Sequence, residues 1–418
     1  MKLTVVGAGS TYTPEVVDGL VHLRAVLPVD ELALQDVDER RLAVVGSLAQ
    51  RMLDRAGHPA RLALTTRLDE AVEGADAVLI QIRVGGQAAR MVDESVPVAC
   101  GCVGQETTGF GGLAKALRTV PVVLEIADRA RVLAPNAWIV DFTNPVGIVT
   151  KALLDAGHRA VGLCSAAMVF QRHFARLLEA APDRVELDHV GLNHLTWELG
   201  VRLDGADVLP KLLGEQIDPV ARSSGLPPEL VRRLGVVPSY YLHYFYEHDR
   251  VVEEQRRTKS RAEEVSEIEA ELLELYADEE LDEKPALLSR RGGAGYSEAA
   301  VELLGSLVGS GGEGRHVINL RNDGTLPFLA DDTVVEVPAR VTSGGVSPLE
   351  APPLDPMHRG LVAHVSAYED LALDAALHGG RERVFRALLA HPLVGQADVA
   401  ETLTDKMIDA NRRYLAWA

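Results

Sequence analysis

Up to about residue 165, apolar and polar positions fall into short unbroken apolar runs alternating with longer amphipathic ones. KLTVV is rich in β-branched residues and closes on glycines, which predicts a buried strand. TPEVVDGLVHL predicts a helix, with Thr13 as its cap and Pro14 at the first helical position. ELALQDV then reads as a second strand, and ERRLAVVGSLAQRML as a second helix. ADAVLIQI and AWIVDFT are further apolar runs of strand length, separated by helical stretches such as GLAKALRTVPVVLEIADRARVL. The last such run ends at VGLC, where Cys164 stands between a strand and a string of very small residues. Strand alternating with helix predicts an α/β unit over 1–165: a parallel sheet with right-handed crossovers, Rossmann-like in plan.

The regularity then fails. Residues 205–238 are rich in Gly, Pro and short helical pieces. SRAEEVSEIEAELLELYADEE carries Val265, Ile268, Leu272 and Leu275 at helical spacing, DDTVVEVPARV predicts a strand, and the final 60 or so residues predict helices. The expectation for 166–418 is a mixed α+β domain that closes over the first.

Composition narrows the function classes. The chain has 418 residues, 47% of them hydrophobic and 25% charged, as expected of a globular protein with a sizeable core. Its net charge of −19 repels phosphate backbones and argues against nucleic-acid binding. No run is long enough for a membrane-spanning helix, and MKLTVVGAGS does not resemble a secretory leader. Three cysteines, Cys100, Cys102 and Cys164, do not make a disulfide framework, and a reducing cytoplasm is the expected compartment.

The first chemical signal is VVGAGSTYTPE. Gly7 and Gly9 sit in a tight strand-to-helix turn with Ser10 and Thr11, where backbone N–H groups can approach a pyrophosphate. Tyr12 replaces the third glycine of the common fingerprint. Asp36 or Asp38, after the second strand, is placed to meet a ribose, which favours NAD over NADP. DFTNPVGIVT puts Asn144–Pro145 after a strand, as in lactate and malate dehydrogenases, so an NAD-dependent 2-hydroxy-acid dehydrogenase is one alternative.

The second signal is Cys164 with His194, in HVGLNHLTWE about thirty residues on. A thiolate and an imidazole at the ends of neighbouring strands suit a first-row divalent cation. Two protein ligands leave coordination positions open for substrate oxygens. Ser260 and Glu263 form an S-x-x-E capping box, which places Arg261 in the first turn of a helix beside free N–H groups. Tyr240, Tyr241, Tyr244 and Tyr246 in VVPSYYLHYFYEHD read for the most part as an aromatic core stripe.

Together, GAGSTYTPE, IRVGGQAARMVDE, GQETTGFGGLAKALRT, FTNPVGIVT, GLC, GLNHLTWE, SYYLHYFY, RAEEV and RGGAGYS resemble the NAD-dependent glycosidases of glycoside hydrolase family 4, near their 6-phospho-β-glucosidase branch. The resemblance runs almost end to end and implies an overall plan like that of lactate and malate dehydrogenases. It implies that Cys164 and His194 hold a divalent metal, Mn2+ first, and that Arg90, Asn144 and Asn193 contact the glycoside. It further implies that Arg261 holds a 6-phosphate and that Tyr241 is the base. The implied chemistry is transient oxidation at C3, loss of the C2 proton, expulsion of the C1 leaving group, water addition and return of the hydride. No pair of carboxylates presents itself as acid and nucleophile, in keeping with that scheme. A homodimer or homotetramer is also implied. One departure stands out: family members commonly carry Asn or Asp after the metal cysteine, whereas this chain has Ser165, a poor proton donor. A non-catalytic NAD-binding relative is therefore a second alternative.

Overall fold

The computed structural model describes residues 1–292 and 296–418; three residues of the RGGAGYS stretch, 293–295, lie outside the described residues. In the first half, β1 (Lys2–Val6), β2 (Glu31–Gln35), β3 (Arg61–Thr65), β4 (Ala77–Ile80), β5 (Trp138–Asp141) and β6 (Ala160–Gly162) pair in parallel in the order β3-β2-β1-β4-β5-β6. Their central members are continuous apolar runs because helices cover both faces. The crossovers include α1 (Thr13–His22), α2 (Glu39–Arg55), α3 (Gly86–Ala99), α4 (Gly109–Leu133) and α5 (Val146–Asp155).

The second half extends the same sheet instead of building a separate one. β7 (Val185–Leu192), β8 (Leu195–Leu203), β9 (Ala206–Asp207), β10 (Val237–Pro238), β11 (Gly314–Arg321), β12 (Val334–Thr342) and β13 (Gly345–Pro348) add antiparallel strands. From the parallel edge the order runs β6-β11-β12-β7-β8-β10. α6 (Ala166–Leu177) follows β6, and α7 (Arg261–Ala277) packs on α2 and α3. α8 (Tyr296–Val308) packs on α1, and the chain closes on α9 (Pro356–His378), α10 (Arg381–Ala390) and α11 (Ala397–Asn411). One core cluster runs from Leu3 to Leu415, and a smaller one gathers Phe170, Phe174, Val185 and Val201.

Several expectations need correction. Thr13 lies inside α1, whose cap position is Tyr12; the Thr13 hydroxyl donates to the Ala8 carbonyl at 2.8 Å. β3 gave no apolar run because it is a half-exposed edge strand. Leu275 is 36% exposed, and Tyr276 takes the inward place, donating its hydroxyl to the Thr11 carbonyl at 2.7 Å. Tyr240 is 51% exposed and does not belong to a core stripe. The strands leading to Cys164 and His194 are not neighbours, because β11 and β12 lie between β6 and β7. The three cysteines are free, and Cys102 is buried.

Candidate active site

A cavity of about 1080 Å³ opens along the carboxyl ends of the parallel strands and runs from the glycine turn to the β6–α6 junction. Gly7, Gly9, Ser10, Asp36 and Asp38 line one end; Asn144, Cys164, Ser165, His194 and Tyr241 line the other. Arg90 and Arg261 line it as well.

At the turn the backbone makes the surface. Gly7 has φ +88°, and a Cβ there would lie 2.8 Å from the Gln81 carbonyl oxygen. Asp36 accepts the Gly9 N–H at 2.8 Å and the Asp38 N–H at 2.9 Å, while Arg41 donates from Nε to the Gly9 carbonyl at 2.9 Å. Asp38 is the cap of α2, accepting the Arg41 N–H at 2.9 Å. Of the two candidate acids, Asp36 is thus the one that shapes the turn. Thr11 is fully buried and does not line the cavity, so its part is in the turn and not on the surface.

At the other end, side chains make the surface. His194 occupies a two-residue turn between β7 and β8 with φ +61°, a conformation costing an L-residue about 1–2 kcal/mol. Its ring stacks on Tyr241 at 3.6 Å between centroids and 9° between planes. The His194 Nδ1 lies 2.8 Å from the Thr107 hydroxyl, which donates to Gln105 Oε1 at 2.7 Å. Thr107 has one proton and Gln105 takes it, so Nδ1–H is the donor and Nε2 keeps a free lone pair. Burial pushes the imidazole down to about 4, which keeps it neutral and ready to bind a cation.

Burial and the nearby Glu336 hold the Cys164 thiol well above its usual range, against the opposing pull of the Ala166 and Ser165 backbone N–H groups and the Asn193 side chain. Burial likewise keeps the Tyr241 phenol protonated, reinforced by Cys164 and Tyr244. Of the four tyrosines in the stripe, only Tyr241 lines the cavity. The buried carbonyl oxygen of the Asn144 side chain has no hydrogen-bond partner among the described residues. Ser165 begins α6 without capping it by a side-chain hydrogen bond.

Two predicted residues are less free than expected. Arg261 donates to Glu264 at 2.9 Å and to the Arg290 and Arg291 carbonyls at 2.8 and 3.2 Å, at the mouth of the cavity. The predicted capping box of Ser260 and Glu263 is present beneath it. Asn193 is half-buried and does not line the cavity; its amide nitrogen donates to Glu336 Oε2 at 2.8 Å.

A cationic group was missed. Glu106 is paired with Arg83, with Lys115 at 2.8 Å and with Arg90 at 3.4 Å. Burial outweighs that pairing at Lys115, whose ammonium is brought down to about 7. Arg90 is also clamped by Glu94 at 2.6 Å, and Glu94 in turn accepts the Ala262 N–H at the start of α7. Arg83, Glu106 and Lys115 all lie within the motifs IRVGGQAARMVDE and GQETTGFGGLAKALRT, and for Arg83 and Lys115 a charged residue between apolar neighbours was the available signal.

The fold and cavity define an α/β protein of dinucleotide-binding plan with a thiol, an imidazole and a phenol gathered at the far end. Malate dehydrogenase from Salinibacter ruber shares the fold, with a TM-score of 0.54 at 16% identity over 91% of this chain and 99% of that one, and the likeness extends to the fold alone. A family model described as Family 4 glycosyl hydrolase matches residues 2–180, and one described as Family 4 glycosyl hydrolase C-terminal domain matches 189–394. The chain belongs to family 4 of the glycosyl hydrolases. It is 39% identical to a probable 6-phospho-beta-glucosidase of Bacillus subtilis (strain 168), over 99% of this chain and 97% of the relative. It is also similar to the solved 6-phospho-beta glucosidase of Thermotoga maritima, with a TM-score of 0.93, 33% identity and 99% of each chain covered. That enzyme was crystallised with NAD and glucose-6-phosphate, and in a second structure with manganese as well. The family match leaves the dehydrogenase alternative without support beyond the shared fold.

Proposed function

We propose that the protein hydrolyses 6-phospho-β-glucosides using NAD and a divalent cation, Mn2+ first. The observation that carries this reading is that Cys164, His194 and Tyr241 line the same cavity as the Gly7–Ser10 turn. The residues fit both groups. A cradle that a Cβ at Gly7 would fill suits a dinucleotide, and sulfur, a neutral imidazole nitrogen and the unpaired Asn144 oxygen suit a first-row cation. Cys164 and His194 hold the cation as a two-ligand site open to substrate oxygens.

When bound, NAD accepts and returns a hydride at the sugar C3, and the cation polarises the neighbouring oxygens. The chain's own residues do the rest. Gly7, Gly9, Ser10 and Asp36 hold the dinucleotide. Asn144 and Arg90 orient the sugar, and Arg261 meets its phosphate at the cavity mouth. Tyr241 takes the C2 proton at its phenolic oxygen; positive charge held at Cys164 and His194 favours the ionised form that accepts it. Ser165, facing the cavity where other members carry an acid or amide, supplies no proton to the leaving group, which favours the β-linked class.

Among the described residues no helix is long and apolar enough to cross a membrane. Cytoplasmic placement and assembly as a homodimer or homotetramer complete the reading, and light scattering of the purified protein tests the assembly. The deciding assay offers chromogenic α- and β-linked 6-phosphoglucosides with and without Mn2+ and NAD+. Cleavage of the β-linked compound only with both additions, and with no net NADH, is expected. Net NADH formation, or NAD binding without turnover of either compound, overturns the reading.

A further inference from the structure

Cys164 and His194 reach the cavity from strands that do not touch, so something must fix their relative position. A single row of paired residues crosses the gap: Gly191 on β7 faces Glu336 on β12, Glu336 faces Asn319 on β11, and Asn319 faces Gly162 on β6. Neighbouring strands lie about 4.8 Å apart, so three steps separate the ligand-bearing strands by about 14 Å. The two outer members are glycines next to close-packed atoms. A Cβ at Gly191 would lie 2.1 Å from the Leu195 carbonyl oxygen, and one at Gly162 would lie 2.2 Å from the Thr150 hydroxyl.

Glu336 is 1% exposed and stands in a strand whose neighbours Val335 and Val337 are fully buried. Both of its oxygens are engaged. Oε2 accepts from Asn193 at 2.8 Å and from Asn319 at 2.9 Å; Oε1 lies 3.0 Å from His189 Nε2. The other nitrogen of His189, Nδ1, lies 2.6 Å from Glu198 Oε1, which is also buried. Asn193 precedes His194 in the turn, and its side chain donates to Glu336. Through Glu336, Asn193 is therefore joined to Asn319, so the turn that carries one metal donor is tied to the strand beside β6, which leads to the other.

We propose that Glu336 is the positioning residue of the cation site: from the strands between the two donors, its carboxylate holds the Asn193 amide, and with it the turn that carries His194, to Asn319 on the strand beside the one that leads to Cys164. This rests on the cation role assigned above to those two residues. It also gives Asn193 a different part from direct substrate contact. A carboxylate is required at 336 because its three partners all donate, and only an all-acceptor group satisfies them. A glutamine would turn an N–H toward Asn193, Asn319 or His189, and at least one hydrogen bond in the row would be lost.

The test measures Co2+ binding to the full-length protein by calorimetry and by the thiolate-to-cobalt absorption band, with NAD affinity and thermal melting as controls. The wild type is measured first; failure of that protein to bind Co2+ or Mn2+ overturns the function proposed above, not the role of Glu336 alone. With the wild type competent, Glu336→Gln is expected to weaken Co2+ about 10–100-fold and to shift or weaken the band, while NAD affinity is unchanged. Asn193→Ala, at a half-buried position, is expected to weaken Co2+ about 10-fold with the same change in the band. Wild-type Co2+ affinity and an unaltered band in Glu336→Gln overturn the proposal. Should Glu336→Gln fail to fold, the same result in Asn193→Ala overturns it.

Discussion

At the glycine-turn end of the cavity, the wall is backbone held by hydrogen bonds within the first 41 residues: Gly9 to Asp36, Arg41 to Gly9, Arg41 to Asp38. At the Cys164 end, the wall is side chains, each steadied by another side chain from a distant part of the chain. His194 leans on Thr107, 87 positions away, and His189 meets Glu336 across 147. The first end binds by shape and N–H donors, so small residues and a positive φ suffice. The second must hold a sulfur, a nitrogen and a phenol in one arrangement, so it needs a buried polar network. Damage should therefore be steric at the turn and chemical at the sulfur.

The largest expected effect is at the sulfur. Cys164→Ser replaces a potential thiolate by a hydroxyl that remains neutral, and hydrolysis of the 6-phospho-β-glucoside should fall at least about 10³-fold, equivalent to about 4 kcal/mol in the barrier. NAD affinity, measured by fluorescence titration, should hold because the turn is untouched. Full activity in this variant would falsify the metal role of Cys164.

The steric end predicts the opposite signature. Gly7→Ala introduces a Cβ 2.8 Å from the Gln81 carbonyl at φ +88°, so the turn must shift. NAD affinity should drop by about 10–100-fold and the melting temperature by several degrees, from a strain of about 2 kcal/mol. Co2+ affinity without NAD should stay within a factor of two or so of wild type. If metal binding falls along with NAD binding, the two ends are one unit and the contrast fails.

That contrast also explains what could be read from the chain. The parallel half was legible because buried parallel strands are unbroken apolar runs, and because GAGS places its conformational demand in four adjacent letters. The capping box at Ser260 is local in the same way. Cys164 and His194 could be nominated by residue type and by family motifs, but not the two strands between them, since strand order is a tertiary property. Glu336 was hidden for the same reason. In DDTVVEVPARV it reads as the polar position of an alternating strand, whereas both faces of β12 are buried. Only its partners on β7, β11 and the 193–194 turn reveal what a carboxylate is doing there.

A milder change sharpens the chemical end. Thr107→Val removes the hydroxyl that accepts the His194 Nδ1–H and leaves that donor buried without a partner. The ring then loses the contact that selects its tautomer, and kcat/KM should fall about 10-fold, or about 1.4 kcal/mol. Co2+ affinity should fall in parallel, whereas NAD affinity should not change. Equal loss of NAD and metal binding would mean that Thr107 supports the fold and not the imidazole.

The smallest effect is on stability, and its pH dependence distinguishes the two ends without any ligand. His189 is fully buried; burial alone disfavours its charged form, but Glu198 and Glu336 on its two nitrogens push it up to about 10. An unfolded histidine titrates near 6.5. A folded value raised above the unfolded one means that this stabilisation is complete below about pH 6.5 and is lost as the pH climbs through about 10. The melting temperature should therefore decline between pH 7 and 10, with one proton contributing at most about 1.4 kcal/mol per pH unit. Glu198→Gln removes one of the two carboxylates and lowers the folded value, so its decline should be shallower over the same range. The glycine turn has no buried imidazolium, so Gly7→Ala should shift the whole melting curve down in parallel with wild type. Identical slopes for Glu198→Gln and wild type would show that His189 is not held charged between its two acids, and the network behind the sulfur would have to be neutral.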